Sequence, residues 1–193
     1  MNSRTLDNTT AASTPGTIQI TRFAYARYFG EGIVDFMGRL VGSFSRKNVR
    51  WVRAQEHFRF GDVNPAIVLD AKMGLVAVFT DLDSKLQKRF PVVKVKKEKL
   101  HLIRHSPVKN GCRLAAVSLY ARSPETATTG MWGGFSPIVI DCVVHDKQAC
   151  ATALERITPI SWVALELGTE QLPSPLRPGL FAITLSDEVR NQL

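Results

Sequence analysis

Gly61-Asp62-Val63-Asn64-Pro65-Ala66, then Ile67-Val68-Leu69, then Asp70-Ala71-Lys72-Met73-Gly74, then Leu75-Val76-Ala77-Val78-Phe79-Thr80-Asp81-Leu82 is the stretch that decides the fold. Short β-branched and apolar runs bounded by Gly, Asp, Asn and Pro read as strands. Residues 61–66 read as a turn cluster that launches a strand, because Asp and Asn bond nearby amides and Asn64 is biased to extended geometry before Pro65. Residues 70–74 reverse the chain and a second strand returns. Nothing in this stretch supplies a nucleophile, a phosphate loop or a metal cage.

Working outward, residues 17–21 alternate like a short strand. From residue 22 the period changes, and Phe29, Ile33, Phe36, Met37, Leu40, Val41 and Phe44 follow one face of a helix. Gly30, Gly32, Gly38 and Gly42 each cost this helix about 1 kcal/mol relative to Ala, so it needs a surface to pack on. A membrane-surface anchor is the second reading, since Arg46, Lys47, Arg50 and Arg53 follow, but its glycine content argues against that. Downstream, strands are expected at residues 90–95, 113–121, 137–144 and 180–185, with residues 100–103 continuing or pairing with the first of these. Residues 123–134 form a loop. Asp146 caps a helix that Pro159 stops, and a shorter one runs from Ser161 to a Gly168 stop.

This succession predicts an α+β fold, a small antiparallel β-barrel or curled sheet with an N-terminal helix and C-terminal helices. Helices do not alternate with strands, which excludes a doubly wound parallel sheet. The expected organisation is a disordered tail at 1–16, a strand and helix extension at 17–57, a β-rich globular domain at 58–186, and a polar tail at 187–193.

The chain has 193 residues, 45% hydrophobic and 22% charged, as in ordinary globular proteins. No run approaches the ~20 apolar residues of a transmembrane helix. Cys112, Cys142 and Cys150 are odd in number and widely spaced, which suggests neither a disulfide framework nor a zinc motif and points to a reducing cytoplasm. The net charge of +8 is uneven: residues 39–113 hold 17 Lys and Arg against 6 Asp and Glu, whereas residues 151–193 hold 3 against 5. That asymmetry suggests an anionic partner for the first half, or simply a solubilising surface.

His101 and His105 are four apart, but the surrounding alternation favours strand and loop and no third ligand lies nearby, so no metal is expected. Cys142 and His145 would face opposite sides of a strand, which argues against a nucleophilic pair. No phosphate-loop, dinucleotide or hydrolase motif occurs; no catalytic residue and no cofactor is assigned. The basic strand is the strongest functional hint. Lys94 and Lys96 share a face opposite Val93 and Val95, with Lys97, Lys99 and Arg104 beyond, and such a face can track phosphates. Lysines also protect edge strands from aggregation. Trp132, in a loop with Phe135 nearby, is either a plug for the barrel end or an anchor for a partner.

Taken together, Gly61-Asp62-x-Asn64-Pro65-Ala66, Val78-Phe79-Thr80-Asp81-Leu82, Pro91-Val92-Val93-Lys94, Trp132-x-x-Phe135-x-Pro137, Trp162-x-x-Leu165 and Pro178-Gly179-Leu180 resemble an uncharacterised bacterial domain family over residues 59–183. The resemblance implies one continuous domain and carries no function. The expected role is a non-enzymatic binding domain acting through protein–protein contact or self-association. The alternatives are binding of nucleic acid or another polyanion through residues 94–99, and a small-molecule enzyme with a scattered site.

Overall fold

A computed structural model describes residues 12, 14–30, 46–84, 89–105 and 107–193. Most of the tail expected at 1–16 (residues 1–11 and 13), most of the glycine-bearing helix (residues 31–45) and part of the charged connection (residues 85–88) lie outside the described residues. In chain order the elements are α1 (Arg22–Phe29), α2 (Arg46–Phe60), β1 (Asp62–Asp70), β2 (Leu75–Asp81), β3 (Pro91–Lys97), β4 (Arg113–Ala121), a short α3 (Thr126–Thr129), β5 (Gly134–Val139), α4 (Lys147–Glu155), α5 (Pro159–Glu170), β6 (Gly179–Ala182) and α6 (Asp187–Gln192). Single 3-10 turns occupy Leu100–Leu102 and Ile140–Cys142. The class is α+β, with helices toward both ends of the chain.

All six strands form one antiparallel sheet in the order β5-β4-β1-β2-β3-β6. The first hairpin is as expected: Asp70 Oδ1 accepts from Met73 N, and Gly74 takes φ +69° with Glu98 O only 2.7 Å from where a Cβ would stand. The turn expected at residues 61–66 is instead the start of β1, which pairs with β4 from Asp62 onward. Pro65 is tolerated in this central strand because the β1–β2 ladder begins only at Ala66. Where that ladder stops, side chains take over. Asn64 Nδ2 donates to Thr80 Oγ1 at 3.2 Å, Thr80 Oγ1 meets Tyr120 Oη at 2.5 Å, and Tyr120 Oη donates to Asp62 Oδ2 at 3.1 Å.

The sheet is strongly curled, and two contacts prove it. In a flat sheet β3 and β5 would stand four strand spacings apart, about 19 Å. Yet Lys94 Nζ donates to Phe135 O at 2.5 Å and Lys96 Nζ to Pro137 O at 2.6 Å. Registers put Asn64, Ala66, Val78, Thr80, Lys94, Tyr120 and Pro137 on this concave side. Val93, Phe79 and Val117 face the other side, against which α5 and α2 pack. Ile18, Ile20, Tyr25, Trp51 and Phe58 join the same hydrophobic cluster as the sheet.

Other expectations are corrected by topology. Residues 17–21 form no strand: Ile18 and Ile20 are buried between exposed neighbours, but Thr17 sits at φ +53°, and Thr17 N and Ile18 N bond the C-terminal carbonyls of α2. Residues 100–103 are a 3-10 turn, and the strand expected over 137–144 ends at Val139 before another. Helix α2 was not foreseen. Gly168 lies inside α5 rather than stopping it, and within the polar tail Asp187–Gln192 is helical. Asp146 does cap α4, accepting from Gln148 N, and Thr158 with Pro159 starts α5.

Candidate functional site

Three residues of β3 and its extension, two apart, meet three outward-facing backbone groups of β5, also two apart. Lys94 and Lys96 donate to the carbonyls of Phe135 and Pro137, and Val139 N donates to Glu98 Oε1 at 3.4 Å. β5 is an edge strand, and Pro137 has no N–H to leave unpaired there. The lysines therefore do cover an edge, but the edge is that of β5. β3 itself is interior, with β6 on its far side.

Glu98 is buried and also accepts from Lys96 Nζ at 2.6 Å and Tyr28 Oη at 2.8 Å. Tyr28 belongs to α1, and Lys99 Nζ donates to its carbonyl at 2.5 Å. Burial, and then Glu98, push the Tyr28 phenol well above its ordinary range. α1 is thus fastened beside the seam.

Between this seam and the helices lies a cleft of about 610 Å³. Tyr25, Tyr28 and Phe29 come from α1, and Arg50, Arg53, Ala54 and His57 from one stripe of α2. Lys94, Lys96, Leu119 and residues 136–138 complete it, and among the described residues no Asp or Glu lines it. Burial lowers the Lys94 pKa, and the neighbouring Lys96 ammonium lowers it further. Lys96 has Glu98 as partner, whereas among the described residues no carboxylate forms an ion pair with Lys94.

Of the basic residues singled out from sequence, the structure brings Lys94 and Lys96 together. Lys97 and Arg104 are exposed away from them, and Lys99 turns back to Tyr28. Trp132 is 8% exposed and Phe135 2%. Both stack near Tyr120, with ring centroids 6.0 Å and 6.2 Å away, in the packing of a plug at the barrel end. Sequence reasoning missed the contribution of Arg50 and Arg53 to a concave surface. The available signal was the i, i+3, i+4, i+7 spacing of Arg50, Arg53, Ala54 and His57.

A second constellation sits below the 3-10 turn Ile140–Cys142. His105 Nε2 lies 2.7 Å from Asp141 Oδ1, and one ligand atom each from His105, Asp141 and Cys150 falls within 4.8 Å of the others. Asp141 and Cys150 are buried. Burial and the carboxylates of Asp141 and Asp146 push the Cys150 thiol up to about 12. His145, which the sequence reading set on the opposite side from Cys142, meets Arg27 at 2.8 Å.

A curled antiparallel sheet with helices on its convex side and a basic cleft at its seam defines a small α+β domain. The chain belongs to the family described as protein of unknown function (DUF3239), whose pattern matches residues 50–173, from within α2 to just beyond α5. No curated protein matches the sequence. A crystal structure of a "putative membrane protein" from Corynebacterium diphtheriae superposes with a TM-score of 0.52 at 18% identity, covering 63% of this chain and 100% of that one. At that identity the likeness is one of fold. No helix among the described residues is long and apolar enough to cross a membrane.

Proposed function

We propose that this is a non-enzymatic binding domain whose seam cleft takes an anion bearing phosphate and an apolar portion. The observation that carries the reading is Lys94, an ammonium partly removed from water beside Lys96, with no carboxylate partner among the described residues, in a cleft shared with Arg50 and Arg53. An anion there would offset the Lys94–Lys96 repulsion, and a cleft of this size and largely apolar lining suits a small molecule or the end of a chain rather than an extended track. Three unpaired cysteines support a reducing, cytoplasmic setting.

Calorimetric titration with inorganic pyrophosphate, a mononucleotide, a short single-stranded oligonucleotide and anionic phospholipid vesicles tests it. Binding that weakens with salt and falls at least tenfold in Lys94→Gln and Arg53→Gln is expected. Binding of vesicles alone would make the anion a lipid headgroup, a source that the description of the Corynebacterium structure favours. Unchanged affinity in both variants refutes the reading.

Self-association is the second reading, favoured by Phe23 and Phe29 of α1, which are 72% and 44% exposed. Sedimentation of the wild type and Phe23→Glu tests it, and a monomer at every concentration refutes it.

A further inference from the structure

We infer that His105, Asp141 and Cys150 form a binding site for a borderline-soft divalent transition metal ion, zinc foremost. The three residues come from separate places: the segment after the 3-10 turn at residues 100–102, the 3-10 turn at residues 140–142, and the second turn of α4. Their ligand atoms lie within 4.8 Å of one another, close enough for one ion to bond all three after small side-chain shifts.

The donors themselves ask for an ion. Asp141 is a carboxylate 7% exposed, and a buried carboxylate is paired or coordinates metal. Its partner here is His105, whose other ring nitrogen, Nδ1, is buried and accepts or donates no hydrogen bond among the described residues. Cys150 is 6% exposed, and among the described residues its Sγ makes one long contact, to Val144 O at 3.6 Å. A buried pair that hydrogen-bonds on one side and leaves a thiol and an imidazole nitrogen nearly unused is half-satisfied as an apo core. As a ligand set, the thiol and one imidazole nitrogen gain a partner.

A thiolate, a carboxylate and a neutral imidazole carry two negative charges, which one divalent cation balances. Binding at Cys150 replaces the S–H bond by a sulfur–metal bond and releases one proton to solvent. The mixed sulfur, nitrogen and oxygen donors select against calcium and magnesium, which take oxygen alone, and favour zinc or cobalt. Three protein ligands leave a fourth tetrahedral position for water or another ligand, the arrangement of open rather than purely structural zinc sites. This site is separate from the seam cleft: none of its three residues lines the cleft.

The test uses the full chain carrying Cys112→Ser, freed of metal by chelator, then titrated with cobalt chloride and, in competition, zinc sulfate. One cobalt per chain is expected, with a sulfur-to-cobalt charge-transfer band in the near ultraviolet that zinc abolishes. Cys150→Ser should lose the band, and Asp141→Asn and His105→Gln should weaken cobalt binding at least tenfold, while Cys142→Ala keeps both. Far-ultraviolet circular dichroism shows whether each variant folds. Absence of stoichiometric cobalt uptake overturns the inference. So does uptake without the charge-transfer band, a result read on the chain with Cys150 intact and independent of how its variants fold. A band that survives Cys150→Ser, or that Cys142→Ala removes, overturns it as well.

Discussion

Replacing Gly168 by Ala sets two effects of known size against each other. Gly168 lies in the last turns of α5, where Ala is the better helix former by about 0.5–1 kcal/mol. Against that, an added Cβ would stand 2.6 Å from Val93 Cγ2 and 2.8 Å from Ile183 Cδ1. Val93 is completely buried on a strand paired on both sides, and its branched side chain is stiff, so it cannot move aside. Forcing a methyl group into such a contact costs about 1–3 kcal/mol. Packing wins: the net loss is about 1 kcal/mol, a fall in Tm of roughly 2–4 °C for a chain of this length. Thermal melting by circular dichroism measures it, with a urea midpoint at unchanged slope as the check. Ile183→Val removes the offending Cδ1, so the double variant should lose less than the two single variants summed, by about 0.5 kcal/mol or more. A Gly168→Ala chain that melts at or above the wild type refutes the reasoning, because the helix would then not need its close seat on Val93.

Gly61→Ala is the harsher case, since its Cβ would meet two backbone oxygens, His57 O at 2.4 Å and Ser118 O at 2.8 Å, that cannot rotate away; a loss of about 3 kcal/mol or more is expected in urea unfolding, and a loss under 1 would refute the close approach. Tyr120→Phe deletes the hydrogen bonds to Asp62 and Thr80 at no change of shape and should cost about 2 kcal/mol with the denaturant slope unchanged, whereas a neutral result would mean that water replaces the phenol. Burial first of all holds the thiols of Cys142 and Cys150 above their ordinary 9.0, and the phenols of Tyr28 and Tyr120 above 10.0. The folded chain keeps protons that the unfolded chain gives up, so this stability is complete below pH 9 and is lost as pH rises further. Lys94, held low, works in the opposite sense, as one group against four. The urea midpoint should therefore fall between pH 7 and pH 10, and a midpoint that holds or rises would refute the burial of these groups.

The sheet was legible where punctuation and pattern agree. β4 runs from Arg113 to Ala121 as its alternation suggests, and Asp146 announces α4 because a short side chain must meet the free amides of a first turn. It was illegible where one residue type serves two purposes. Glycine ends helices, but Gly168 is there to bring α5 onto Val93, and Gly61 to let α2 run into β1 beside Val117. Proline and asparagine mark turns, yet Asn64 and Pro65 sit in a central strand whose ladder on one side has not begun. Helix α2 was hidden because its buried stripe of Trp51, Ala54 and Phe58 is threaded with arginines, which read as a solvated run when taken alone.

The site was half visible for a related reason. The period of two in Lys94-x-Lys96-x-Glu98 can be seen in the sequence, but what it matches cannot. On β5 the outward groups at 135, 137 and 139 read carbonyl, carbonyl, N–H; on β3 and its extension the side chains read ammonium, ammonium, carboxylate. Donors meet acceptors in order, at a constant separation of 41 residues, which fixes the register as a turn would in a hairpin. A backbone ladder would have drawn the two strands to about 4.8 Å. Closure through side chains instead keeps them a lysine's length apart, so the seam stays open enough for Tyr25, Tyr28, Arg50 and Arg53 to form a cleft over it. The lysines that close the barrel are for that reason the same ones that charge its cleft.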